Sequence, residues 1–164
     1  MSFNVQHIIM HVTKTIGVSR SPRDVFYLSL SQTLNRGEIT VFNQLHIGTT
    51  NASQSSISPL YKDPRLKQLI GKSSSVVTLF DIVKPSKTNL YNSTVETVYR
   101  LPKGDVSISH APLLQKFANF YGLPYNQIEI APITFGTGEY LNKQGYVCIA
   151  TGSSHIKLIM VFLI

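Results

Sequence analysis

The chain has 164 residues, 43% of them hydrophobic and 14% charged, with 15 Lys and Arg against 8 Asp and Glu for a formal charge of +7. That length suits one domain with a substantial core, and that hydrophobic share excludes wholesale disorder. The single cysteine, Cys148, excludes an intramolecular disulfide framework and a cysteine zinc site.

Residues 3–18 alternate with β-branched content and predict a strand with both faces partly covered. Over 22–35 two readings compete. Ser21 and Asp24 have capping-box spacing with Pro22 at the first helical position, and Phe26, Tyr27, Leu30 and Leu34 make a helical stripe ending at Gly37. Read as a strand, Phe26, Leu28 and Leu30 share a face; the capping signals favour the helix. Residues 38–48 predict a strand, and the small polar run 49–59 a flexible loop. A short helix is expected over 63–71, between Asp63-Pro64 and Gly71, followed by strands over 74–83 and 90–101. Residues 102–105 form a turn. Residues 110–124 carry the strongest helical stripe, Leu113, Leu114, Phe117, Phe120 and Tyr121, stopped by Gly122 and Pro124. The remainder predicts strands, with a turn at Asn142–Gly145 and an apolar terminal run, LIMVFLI, too short to span a bilayer. The expected fold is α+β: one domain over 1–164, a mostly antiparallel sheet with two or three helices packed on it.

No motif in the chain fixes an enzymatic chemistry. His7 and His11 have a metal-ligand spacing without the glutamate of H-E-x-x-H, and no third ligand is identifiable. Gly136-Thr-Gly138 lacks the third glycine and lysine of a phosphate loop and reads as a hairpin. Ser154-His-Ile-Lys157 matches S-x-x-K without its companion motifs. Asp63, Asp81 and Asp105 could imitate a carboxylate cluster only if they converged. No catalytic residue, metal, cofactor or small-molecule substrate is therefore expected. The N-terminal residues do not read as a signal peptide, which leaves the sequons at Asn51 and Asn92 unused and suits Cys148 to a reducing compartment.

The positive charge attracts polyanions, either nucleic acid or an anionic membrane. The basic residues fall into groups: Lys14, Arg20, Arg23 and Arg36 around the 22–35 segment, Lys62, Arg65, Lys67 and Lys72 around the 63–71 segment, then Lys84 and Lys87. Tyr27, Tyr61 and Tyr91 lie among them, too few for a single-strand stacking groove. Leu60 and Tyr61 beside lysines would equally suit a membrane surface.

Arg20-Ser-Pro22-Arg-Asp24-Val25 after a strand, an apolar strand running into Gly48-Thr-Thr-Asn51, Tyr99-Arg-Leu-Pro102, and the segment Gln115–Leu123 occur in one order. In that order the chain resembles rhabdovirus matrix proteins. It departs from them in lacking a long lysine-rich N-terminal tail and any PPxY or PTAP budding motif. The resemblance implies a non-enzymatic assembly protein of the virion and host cytoplasm, peripheral to membranes and not secreted. Such a protein self-associates and binds a nucleoprotein–RNA complex and an anionic membrane surface. The candidate self-association residues are Ser55, Ile57, Leu60 and Tyr61 of the polar segment and Leu158, Met160 and Phe162 of the terminal run, where an open edge strand would invite pairing; the other reading of that run, and the favoured one, is a buried terminal strand of the monomer. The alternative is a basic RNA-binding structural protein of the ribosomal or small-capsid kind.

Overall fold

The computed structural model describes residues 23–29, 52–84, 90–117, 120–124, 126–152 and 154–163. These form ten strands in chain order: β1 (Arg23–Ser29), β2 (Ala52–Tyr61), β3 (Leu69–Lys84), β4 (Leu90–Leu101), β5 (Gly104–His110), β6 (Leu113–Phe117), β7 (Phe120–Gly122), β8 (Gln127–Gly136), β9 (Gly145–Thr151) and β10 (His155–Phe162). A single 3-10 turn at Gly138–Tyr140 is the helical element among the described residues. The strands lie in the order β3-β2-β1-β10-β9-β8-β5-β4, and pairing of β3 with β4 closes them into an eight-stranded antiparallel barrel. The short strands β6 and β7 extend from β4.

The architecture overturns the α+β expectation, and each predicted helix has a local reason for failing. Residues 23–29 of the 22–35 segment are strand β1; the rest of that segment lies outside the described residues. Every residue of β1 pairs with β10, from Arg23↔Val161 to Ser29↔His155. A capping box contributes about 1 kcal/mol. Burying Phe26 and Leu28 in the barrel contributes on the order of 2 kcal/mol each, and the ladder to β10 adds to that. Asp24, read as a helix cap, instead accepts a hydrogen bond from the Tyr140 hydroxyl at 3.2 Å, 116 residues away in sequence.

The 63–71 segment is a turn followed by the start of β3. The Asp63 carboxylate accepts the backbone amides of Lys67 at 3.1 Å and Gln68 at 2.7 Å, which reverses the chain within a few residues. Leu66 adopts a left-handed φ of 57° inside this turn. In the 110–124 segment, β5 continues to His110, and Leu113, Leu114 and Gln115 then pair with the first residues of β4. That part of β4 has no β5 opposite it, and an open edge of paired-strand geometry recruits the next available extended segment. The polar run expected as a flexible loop is β2 from Ala52 onward, because β3 offers it a partner along its whole length.

Alternation of side chains divides the barrel wall into two faces. Along β4, Tyr91, Ser93, Val95, Thr97, Tyr99 and Leu101 are buried, whereas Asn92, Thr94, Glu96 and Arg100 are exposed. One interior cluster joins Phe26, Leu28, Leu60, Tyr99, Val106, Ile108, Val147, Leu158 and Met160. A second one joins Leu79, Tyr91 and Val95 to Leu114 and Leu123. Strands β9 and β10 are also buried on their other face, where Cys148, Ala150, Ile159 and Val161 pack together, so they read as continuous apolar runs.

Candidate functional site

The barrel interior retains a cavity of about 70 Å³. Its wall carries apolar side chains from β1, β3, β4, β9 and β10, and Leu114 and Leu123 border it beside β6 and β7. Between them stands a set of hydroxyls: Ser73, Ser75, Thr97, Tyr99 and Thr151. Ser75 and Thr97 satisfy each other across β3 and β4 at 2.9 Å. Burial raises the Tyr99 phenol well above its ordinary range, so it stays protonated.

His110 also borders this cavity. It ends β5, where the inward sequence Val106, Ile108, His110 places an imidazole at a core position, and its side chain is only 7% exposed. The Nδ1 atom is buried without a hydrogen-bond partner; the nearest carboxylate oxygen, Oε1 of Glu129 on β8, is 3.6 Å away. That separation is too long for a hydrogen bond. Burial lowers the His110 pKa to about 4 and raises that of Glu129 above the usual carboxylate range. The imidazole is therefore neutral at neutral pH, and the contact is not an ion pair. A neutral imidazole donates at one nitrogen and accepts at the other, and a carboxyl beside it can share a proton with it once the two close to hydrogen-bond distance.

Neither residue stood out in the sequence. His110 fell at the start of an expected helix, and Glu129 within an expected strand. The signal that could have found both is a period of two: Val106-x-Ile108-x-His110 and Glu129-x-Ala131-x-Ile133 each put a titratable residue in line with apolar ones.

The polyanion candidates are divided by the structure. Lys62, Arg65 and Lys67 are exposed on the turn between β2 and β3, and Lys72 lies across β3–β4 from Arg100. Arg100 and Lys103, which sequence reasoning omitted, join them, because the β4–β5 turn lies at the same end of the barrel. Arg100 pairs with Asp105 at 2.9 Å. Arg23 opens β1, and Lys84 lies at the far end of β3. Lys14, Arg20, Arg36 and Lys87 lie outside the described residues, as do His7 and His11.

Four of the self-association candidates face the wrong way for that role. Leu60, Leu158, Met160 and Phe162 are buried inside the barrel, since β10 is an interior wall strand flanked by β1 and β9 and not an edge. Ser55 and Ile57 are exposed, and Tyr61 is partly so. Among the described residues no three His, Cys, Asp or Glu side chains converge as a metal site. Gly136-Thr-Gly138 leads into the 3-10 turn and is locked to the β4–β5 turn: the Thr137 amide donates to Asp105 O and the Glu139 amide to Lys103 O, both at 2.9 Å. In Ser154-His-Ile-Lys157, Ser154 Oγ lies 2.9 Å from His155 Nδ1, while Lys157 Nζ sits 5.9 Å from the centre of the Tyr27 ring.

Fold and site together define a closed antiparallel β-barrel with a small interior cavity faced by a buried, neutral histidine. Among solved structures, a pyocyanin demethylase aligns with 87% of this chain and 100% of its own, at a TM-score of 0.59 and 13% identity. At that identity the likeness shows the fold alone. No family model matches the chain, and no curated protein does. Of the segments that carried the resemblance, Asp24–Val25 and Gln115–Phe117 were expected as helices and are strands.

Proposed function

We propose that the barrel binds a small, largely apolar molecule bearing one hydrogen-bonding group, which it directs at His110. The observation that carries this reading is a buried imidazole in the wall of a cavity otherwise lined by apolar groups and hydroxyls, with its Nδ1 atom left without a partner 3.6 Å from Glu129 Oε1. An unsatisfied buried polar atom costs about 1–3 kcal/mol, so a ligand group or an ordered water that satisfies it gains that amount. A space of about 70 Å³ holds a few waters or one end of a small molecule. Ligands of ordinary size occupy roughly 300 Å³ or more, so a whole ring enters only as side chains of the cavity wall move apart. Three roomier hollows among the described residues, of about 490, 550 and 690 Å³, lie on the outer faces and edges of the wall and bring no buried titratable group together.

A catalytic role is the second reading, and the His110–Glu129 geometry is what favours it. A neutral base 3.6 Å from a carboxyl makes proton transfer to or from the bound group the chemistry available there. The name of the structural neighbour is that of an enzyme, which agrees with such a role on this fold.

The test is a screen of single-ring phenols and ketones against the full-length protein, followed by amide and side-chain chemical shifts. Shifts centred on His110, Thr97 and Leu123, and lost in His110→Phe, are expected. Shifts confined to the outer grooves, or no binding by any compound, would overturn the proposal.

A further inference from the structure

Four features meet at the end of the barrel opposite His110. The first is charge. Lys62, Arg65, Lys67, Lys72, Arg100 and Lys103 gather on two adjacent turns and the strands that carry them. Of the acids near them, Asp63 accepts the amides of Lys67 and Gln68 and Asp105 pairs with Arg100, while Glu139, whose amide donates to Lys103 O, is exposed. The second is exposed aliphatic surface inside that charged rim. Leu69 is 65% exposed and Ile57 61%, and they share a groove with Pro59, Pro102, Lys72 and Arg100. The third is a built loop: the Asp63 hydrogen bonds and the left-handed Leu66 hold the three basic side chains of the turn on a short, constrained reversal. The fourth concerns aromatic rings. Among the described residues near this end, Tyr61 is partly covered and Tyr140 is buried, while the exposed Phe135 lies on β8 opposite Ser107, outside the groove that Ile57 and Leu69 share.

We propose that this end of the barrel is a docking surface for an anionic lipid membrane, with Ile57 and Leu69 entering the headgroup boundary and the basic rim lying on the phosphates. Charge alone would suit any polyanion. The aliphatic pair decides between partners: a bilayer buries such side chains favourably, whereas a nucleic-acid backbone leaves them in water and rewards stacked rings instead. The surface is independent of the interior cavity, since the turns that form it begin β3 and β5 while His110 ends β5.

Sedimentation of the full-length protein with vesicles tests this. Binding to phosphatidylcholine–phosphatidylserine vesicles is expected at low salt, weakening as salt rises, with none to phosphatidylcholine alone. Each basic residue near such a surface contributes roughly fivefold to binding, so K62Q/R65Q/K67Q/K72Q lowers it by roughly 600-fold. The variant Ile57→Ser with Leu69→Ser lowers it about 10-fold without altering the salt dependence. All six positions are exposed, and thermal melting of both variants checks that the barrel stays folded. Failure to bind anionic vesicles overturns the proposal. So does tight binding of single-stranded RNA that depends on the four basic residues and ignores the Ile57/Leu69 pair, which would make the surface a nucleic-acid site.

Discussion

At the scale of single residues, the barrel interior sets protonation. His110 has a folded-state pKa of about 4 against the ordinary 6.5, and the cause is loss of solvent. Between those values the unfolded chain holds a proton that the folded chain does not. Stability from this group is therefore complete above the unfolded pKa and is lost as pH falls through that window, by on the order of 3 kcal/mol in all. Glu129 works in the opposite sense. Its raised pKa makes the folded chain the tighter proton binder just above the usual carboxylate range, so its contribution declines as pH rises through that range. Urea unfolding at about pH 7 and about pH 4.5 checks the balance. The wild type should lose stability on acidification, and His110→Phe should lose distinctly less; an equal loss in both would mean that His110 is not buried as described. Tyr140 shows the same desolvation. Its phenol is pushed up to about 12 by burial and by Asp24, to whose carboxylate it donates its hydrogen bond.

Turns and strands are where close backbone approach matters. The loop at Gly136–Gly138 has the composition of a phosphate cradle, yet it is filled by protein. A Cβ on Gly138 would lie 2.3 Å from Lys103 O, and the residue has a φ of +60°. Gly138→Ala is expected to destabilise by about 1–3 kcal/mol, through that clash and the left-handed backbone together, as read by urea midpoint. A midpoint equal to wild type would show that the two turns are not in register. The β2–β3 turn depends on a carboxylate in place of a glycine. Backbone amides of Gln68 and Lys67 hold the Asp63 pKa down. Its stabilising effect is thus present above the usual carboxylate range and disappears as pH falls through the lowered value. Asp63→Ala should accelerate hydrogen exchange of the Lys67 and Gln68 amides while leaving β9 and β10 protected; unchanged exchange at both amides would remove Asp63 from the account.

For the whole molecule, the decisive property is closure. A sheet that closes on itself leaves no long edge to pair with another chain, which is why the apolar terminal run is a wall strand and not an assembly edge. The seams are unequal. β3 and β4 pair from Lys72↔Arg100 to Lys84↔Leu90, whereas β1 and β2 share the single register pair Tyr27↔Tyr61 among the described residues. Native-state hydrogen exchange should therefore find the β1–β2 seam opening at lower free energy than the centre of β3–β4, near Val76 and Val77. Uniform protection around the barrel would contradict this ranking.

What the sequence determines by itself is local. Its period-two segments over 74–83, 90–101 and 127–135 are strands as read, because alternation needs no knowledge of the partner. The Pro102–Asp105 turn and the cluster Lys62, Arg65, Lys67, Lys72 are likewise legible, since they are contiguous in the chain. Phe26 and Leu28, Leu113 and Leu114, and the serines of β2 are different. Each segment has a local preference worth about a kilocalorie or two, and a neighbouring strand that offers a full hydrogen-bonded ladder and a buried face outweighs it. The meeting of His110 with Glu129 belongs to the same class. It depends on the register of β5 against β8, including the shift between Ser107 and Ile108, which no stretch of either strand encodes alone. The tertiary structure decided closure, and closure decided which side chains face the cavity, because inside and outside exist only once the last seam pairs.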